Sequence, residues 1–303
     1  MNNTAILEKG GVATPETPQK RKRKKLTRER VVHYIMLGVF IFFVLFPFYV
    51  LFATSVMNKY ESNQTNFRFW PKEGVCWDSY KEVLFESNGG YSVIVGLKNT
   101  FLYYVPSSII GVFSAAMAAF AFAKMKFRLK GVMFALLMST MMIPNNMSLL
   151  ISFSLYDTIG WIGTPLPLMV PRMFGTIGVT FFLRQYYMGI PEDLMGCAKI
   201  DGLGYFGIFI KIMLPISIPV LVSQFILYFI SGYNDYMGPL LYLPYSDMAT
   251  LQLVLAQYEN PRIQNWPLRM AGCVVAMAPL IFLYLVSQKF ILKDLAVGSG
   301  FKG

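Results

Sequence analysis

The sequence has little that ionises. Only 14% of its 303 residues are Asp, Glu, Lys or Arg, His33 is the single histidine, and Cys76, Cys197 and Cys273 are its three cysteines. One histidine and scattered acids supply no converging set of acid–base or metal-ligating groups, so neither a membrane enzyme nor a metal centre is expected. The cysteines fall in three segments of different kind, so no disulfide is predicted. No Gly-x-x-x-x-Gly-Lys-Ser/Thr occurs, which excludes the usual phosphate-cradling loop and with it ATP hydrolysis by this chain. Basic residues interleaved with exposed aromatics are also missing. The formal charge of +11 therefore gives little reason to expect nucleic acid as a partner.

What the chain has is apolar length. It is 55% hydrophobic and 16% aromatic, too apolar to be solvated as a globular domain, which places it in a bilayer with lipid as its first partner. Runs at 31–56, 99–123, 131–156, 164–188, 215–238 and 268–288 are each long enough to cross the hydrocarbon as a helix. Six spans are predicted. Pro144, Pro165, Pro167 and Pro171 interrupt the third and fourth runs, which leaves a count of five open. With the N-terminus inside, the segments 1–30, 124–130, 184–214 and 289–303 carry 19 of the 27 Lys and Arg, so both termini are expected in the cytoplasm. The run Arg21–Lys25 then reads as an orientation anchor drawn to anionic headgroups. The predicted organisation is a basic tail at 1–30, a membrane domain at 31–290 and a cytoplasmic tail at 291–303.

Between the spans, residues 57–98 read as a folded outer cap whose Phe69, Trp70, Trp77 and Tyr80 suit either a headgroup belt or a partner surface. The second outer segment, 239–267, has a short helix candidate at Thr250–Leu255 and reads as re-entrant. Small residues from Ser114 to Ala123 let one span approach its neighbours closely and place it at the bundle centre. Intramembrane polar groups are few. Arg172 reads as structural, while Asp235, after Tyr233 and Asn234, suits either a helix-end cap or ion pair or the lining of a transport pathway.

The loop at 190–214 carries the most information. Pro191 suits a helix start, Glu192 and Asp193 lie by the positive end of its dipole, and Gly202 can take the positive φ that ends it. Leu194, Cys197, Ala198 and Ile200 form the predicted apolar patch. After the Asp201–Gly202 turn, a second helix from about 203 places Phe206, Phe209, Ile210 and Met213 on one side, and Pro215 begins the return to the membrane. A short rigid helix held at both ends by spans can seat in a soluble motor and pass on its movement.

Asn99–Thr100, Ala118–Lys124, Met142–Pro144, Phe182–Gln185, Ile190–Pro191, Ile200–Gly202, Leu214–Pro215, Asn234–Asp235, Pro239–Leu240, Thr250–Leu251 and Gly298–Gly303 occur in an order that resembles the second permease subunit of carbohydrate ABC importers. The likeness covers roughly residues 31–303. It implies an all-α membrane protein with six transmembrane helices, the type I importer permease fold and a cytoplasmic coupling helix. It also implies a bacterial inner-membrane location and a sugar-import role without enzymatic activity of the chain's own. The implied partners are a second permease, ABC ATPase subunits that bind ATP and Mg²⁺, and an extracytoplasmic solute-binding protein. By this resemblance Gly196, Cys197, Ala198, Asp201 and Gly202 contact the ATPase, the Gly-rich tail reaches it, and Tyr233, Asn234 and Asp235 are candidates for the substrate pathway. Two departures stand out. Gly196–Cys197–Ala198 replaces the family's usual Glu-Ala-Ala, so the expected acidic contact is absent, and Tyr233 stands where Trp is common. An ion-coupled secondary transporter is the alternative, but intramembrane charges are scarce and no internal repeat is visible.

Overall fold

The computed structural model describes residues 28–63, 69–86, 92–258 and 265–300, and among them no strand occurs. The basic run Arg21–Lys25 and the last three residues of the Gly-rich tail lie outside the described residues. Residues 1–47 and 48–303 are separate units. α1 (Arg28–Ser55) is apolar on all its sides after the first turn, as suits a helix bathed in lipid. The remaining helices follow in order: α2 (Lys59–Ser62), α3 (Asp78–Phe85), α4 (Val93–Lys124), α5 (Lys130–Thr140), α6 (Asn145–Thr158), α7 (Leu166–Met173), α8 (Ile177–Met188) and α9 (Asp193–Ile200). Then come α10 (Tyr205–Ile208), a π-helical turn (Phe209–Met213), α11 (Leu214–Ile216), α12 (Ile218–Tyr233), α13 (Met237–Tyr242), α14 (Leu251–Gln257) and α15 (Trp266–Gly300). The predicted tail from 291 is thus helical as far as Gly300, continuous with the last span.

Among the described residues, four stretches are long and apolar enough to cross a membrane: Val31–Ser55, Val93–Lys124, Leu166–Met188 and Trp266–Gln288. The pair Tyr205–Ile216 and Ile218–Tyr233, bent by 79°, makes a fifth. The predicted span at 131–156 is not one helix but two, α5 and α6, broken at Met141–Pro144. Pro144 has no N–H to give to residue 140 and its ring crowds that carbonyl, so a continuous helix is disfavoured there.

α4 is the axis of the larger unit, packed against α7, α8, α12 and α14. Its small residues are the reason. Ala115, Ala116 and Ala119 are buried, and Gly111 lies so close to α7 that an added Cβ would sit 2.3 Å from the Arg172 carbonyl oxygen and 2.8 Å from the Tyr228 ring. Gly175, at φ +74°, returns the contact: its Cβ would lie 2.5 Å from the Gly111 oxygen. Such approach of backbones is how small side chains bring membrane helices together.

The first half of α4 receives the segment predicted to be re-entrant. Asn99 donates through Nδ2 to the carbonyls of Asp247 (2.8 Å) and Ala249 (3.0 Å), and the Thr100 hydroxyl accepts the Leu251 N–H at 2.9 Å. That N–H opens α14 and has no partner within its own helix, so Thr100 caps α14 from another element. The expected outer cap is also folded: buried Glu61 accepts the Lys72 N–H at 2.8 Å, Ser55 and Tyr80 share a 2.7 Å hydrogen bond, and α3 packs on α4 and α15. Phe69, Trp70 and Trp77 remain exposed.

Gly111→Ala is expected to lower the thermal stability of the purified protein by about 1–3 kcal/mol, because two backbones must separate. Gly131→Ala, in a helix where an added Cβ meets nothing within 4 Å, should raise it by roughly 0.5–1 kcal/mol. Thermal unfolding in mild detergent compares the two.

Candidate functional site

α9 and the turn after it form a closed knuckle. The Leu203 N–H reaches back to the Ala198 carbonyl (3.0 Å) and the Gly202 N–H to that of Lys199 (3.0 Å), with Gly202 at φ +80°. This is a Schellman closure, and buried Ala198 and half-buried Leu203 supply its apolar contact. Met195 and Ala198 point inward, joining Tyr187, Ile190, Ile208, Phe209 and Met213 in one core with α4 and α8. The inward face therefore differs from the predicted patch: Leu194 and Cys197 are exposed, and Ile200 is 87% exposed. Phe206 also faces outward, whereas Phe209 and Met213 are buried as expected. The helix begins at Asp193, two residues beyond Pro191.

Three cations fix the knuckle's base. Lys124 donates to the Ile190 carbonyl (2.6 Å), Lys130 to those of Met125 (3.0 Å) and Ala123 (3.3 Å), and Arg184 to that of Phe122 (3.2 Å) while lying over the Phe134 ring at 4.2 Å. Each satisfies carbonyls at or just beyond a helix C-terminus, where the backbone dipole favours positive charge. The Lys130 ammonium lies below the usual lysine range, first because of burial and then because of Arg184 and Lys124, with Glu192 opposing.

From the knuckle the chain returns through the π-helical turn and a sharp bend at Ser217 rather than at Pro215. Pro215 and Pro219 lack the N–H groups that would bond the carbonyls of Lys211 and Pro215, which loosens the helix on both sides of the bend. Buried Ser217 holds that bend, donating through Oγ to the Met213 carbonyl (2.7 Å) and sharing a 3.2 Å hydrogen bond with Tyr187.

At the far end of α12 lies a second polar place. Arg172 and Asp235 line a cleft of about 440 Å³ with Ser148, Ser152, Tyr156 and Ser231. The Arg172 Nη2 donates to the Tyr228 carbonyl at 2.6 Å, and the Tyr228 hydroxyl donates back to the Arg172 carbonyl at 3.1 Å. Its guanidinium lies 4.1 Å from the Tyr228 ring centroid and 5.1 Å from that of Tyr104. Asp235 accepts from the Tyr104 hydroxyl (3.2 Å) and the Gly238 N–H (3.1 Å).

The sequence-predicted residues thus divide. Gly196, Cys197, Asp201 and Gly202 form an exposed surface, and Ala198 holds it from beneath. Asp235 lines the cleft and also caps α13. Asn234 is exposed and accepts from Gln252 (3.4 Å), away from the cleft lining. Tyr233 is 1% exposed and donates to the Ala276 carbonyl at 2.7 Å, which makes it a core residue rather than a wall of the cleft. Sequence reasoning missed Tyr104 and Tyr228, which read as ordinary span aromatics; only the isolated charge of Arg172 hinted that partners were needed.

The family of binding-protein-dependent transport system inner membrane components matches residues 107–297. The chain belongs to that family. The permease is 30% identical over 261 residues to the arabinooligosaccharides transport system permease protein AraQ of Bacillus subtilis, covering 86% of this chain and 91% of that one. Against its namesake in Halalkalibacterium halodurans the identity is 33% over 195 residues, 64% of this chain and 69% of that one. The sn-glycerol-3-phosphate transport system permease protein UgpE of Rhizobium meliloti is 27% identical over 273 residues, 88% and 95% of the two chains. In fold, the permease matches a chain of a bacterial ABC transporter that imports the acidic polysaccharide alginate, with TM-score 0.73 and 20% identity over 87% of this chain and 98% of that one. The permease is therefore a multi-pass membrane transport component and not an enzyme.

The knuckle's two glycines should respond in opposite ways. Gly202→Val forces a β-branched residue into the left-handed region and should destabilise the loop by about 1–2 kcal/mol or more. Gly196→Ala, in a helix with open space around it, should stabilise it by roughly 0.5–1 kcal/mol. Hydrogen exchange at the α9 amides reads both effects.

Proposed function

We propose that the permease forms, with a second related permease, the translocation pathway of an ATP-driven carbohydrate importer, and that α9 with its turn is the part that docks on the ATPase. The observation that carries this reading is the knuckle itself. A helix closed by a Schellman turn is buried on one side through Met195 and Ala198 and presents Gly196, Cys197, Asp201 and Gly202 on the other. A free Cβ would meet nothing at Gly196 or Gly202, so the outer surface is smooth and suits a cleft in a partner. The acidic contact usual at the position of Gly196 is missing, which leaves Asp201 as the acidic group among these four residues, with shape as the main source of fit.

The distribution of Lys and Arg supports a cytoplasmic position for this loop and for both termini in a bacterial cytoplasmic membrane. ATP and Mg²⁺ are held by the ATPase subunits, and an extracytoplasmic binding protein delivers the sugar from the opposite side. The relatives named for arabinooligosaccharides support an oligosaccharide as the cargo. ATP binding closes the ATPases and moves the knuckles, and the pathway switches sides because each ligand prefers one of the two arrangements. No observation favours an ion-coupled transporter.

In the complex purified in gentle detergent, an ATPase and a second permease are expected in fixed ratio with this chain. Asp201→Lys should lower binding-protein-stimulated ATP hydrolysis and sugar uptake together, by about tenfold or more, because a charge of the wrong sign meets the partner surface. Full coupling in that variant, or sugar movement by this chain alone without nucleotide, overturns the reading.

A further inference from the structure

We propose that the cleft between Arg172 and Asp235 is a subsite for one neutral sugar ring; this rests on the importer reading above and names the chemistry the pathway accepts. The cleft holds a cation and an anion that do not pair: among the described residues no salt bridge joins them. Tyr104 keeps them apart, with its ring beneath the guanidinium and its hydroxyl on the Asp235 carboxylate. Opposite charges sharing a membrane-embedded cavity gain by meeting, so a structure that separates them leaves unused hydrogen-bonding capacity facing the space between.

A sugar ring fits that space chemically. Adjacent hydroxyls donate and accept at once, so one ring can donate to Asp235, whose oxygens each receive a single protein donor, and accept from the Arg172 edge or the serine hydroxyls. Ser148 and Ser152 come from α6 and Ser231 from α12, so polar groups face the cavity from two sides. Tyr156 supplies an aromatic wall, stiffened by Trp161 stacked at 5.7 Å and by Tyr242 edge-on at 5.3 Å. The volume of about 440 Å³ is of ligand size, within the roughly 300–1,000 Å³ usual for such sites.

Charge decides the class of sugar. Arg172 spends Nη2 on the Tyr228 carbonyl and Ser108, and its Nε is closed off from the cavity without a partner. Asp235 offsets the remaining charge and repels an incoming carboxylate. A neutral pentosyl or hexosyl unit is therefore accepted and a uronic acid refused.

The test uses the assembled transporter in nanodiscs, carrying Ser152→Cys in a background with Cys76, Cys197 and Cys273 changed to Ser. A water-soluble thiol reagent labels the new cysteine, and arabinotriose, maltotriose or trigalacturonate is added as protectant, while ATP-driven uptake of the same three is measured separately. At least one neutral trisaccharide is expected to slow labelling severalfold and trigalacturonate not at all. With Asp235→Asn, the neutral sugar should need about tenfold more for the same protection, and trigalacturonate should begin to protect. If an imported trisaccharide gives no protection, or trigalacturonate protects as well with Asp235 intact, the subsite is refuted and the importer reading stands. Protection without uptake of any of the three refutes the importer reading and keeps the subsite; absence of both refutes the two together. The comparison with Asp235 intact decides the matter even where Asp235→Asn fails to assemble.

Discussion

Two glycines on crossing backbones set the geometry of the larger unit. Gly111 and Gly175 let α4 and the α7–α8 turn approach until the carbonyl of one residue lies where the side chain of the other would be. That approach carries Arg172 into the bundle, where the Tyr228 carbonyl and two tyrosine rings receive it. It also sets α8 along the second half of α4, and α8 leads directly into the knuckle. With larger side chains at either glycine, the cation would lose its partners and the knuckle its footing at the same time.

The knuckle is stiff in its body and interrupted where it joins the return path to the membrane. Its inner face is a packed core, its C-terminus is closed by two backbone hydrogen bonds, and its base is fixed by Lys124, Lys130 and Arg184. The return path is different. A π-helical turn, two prolines four residues apart and the bend at Ser217 interrupt the regular ladder, and such interruptions are where helices change direction at low cost.

Much of this was legible in the sequence because it depends on local chemistry. The turn at Asp201–Gly202 followed from glycine's freedom at positive φ, the central place of α4 from its run of small residues, and the short helix near Thr250–Leu255 from its apolar sequence. What failed depended on neighbours distant in the chain. The inner face of α9 could not be chosen, since Met195 and Ile200 are both apolar and only the surrounding core selects the first. Tyr233 was a pathway candidate beside Asn234 and Asp235, yet it is buried and the Ala276 carbonyl on α15 takes its hydroxyl. Pro144 was visible as an interruption, but whether a proline kinks a span or splits it is settled by packing.

α12 links the two polar places, and its chemistry is different at each end. It starts at Ser217, tied to Tyr187 at the base of the knuckle, and ends beside Asp235 in the cleft, with Tyr228 bound to Arg172 between them. Its 16 residues span about 24 Å at 1.5 Å each, and its interior hydrogen bonds resist stretching. A displacement of the knuckle must therefore tilt α12 as a body or be absorbed in the π-helical turn before it. Tilting pulls the Tyr228 carbonyl against the Arg172 guanidinium and shifts Asp235 against Tyr104, so whatever part of the movement the π-helical turn does not absorb changes the shape of the cleft. Packed interiors settle into discrete arrangements rather than deforming continuously.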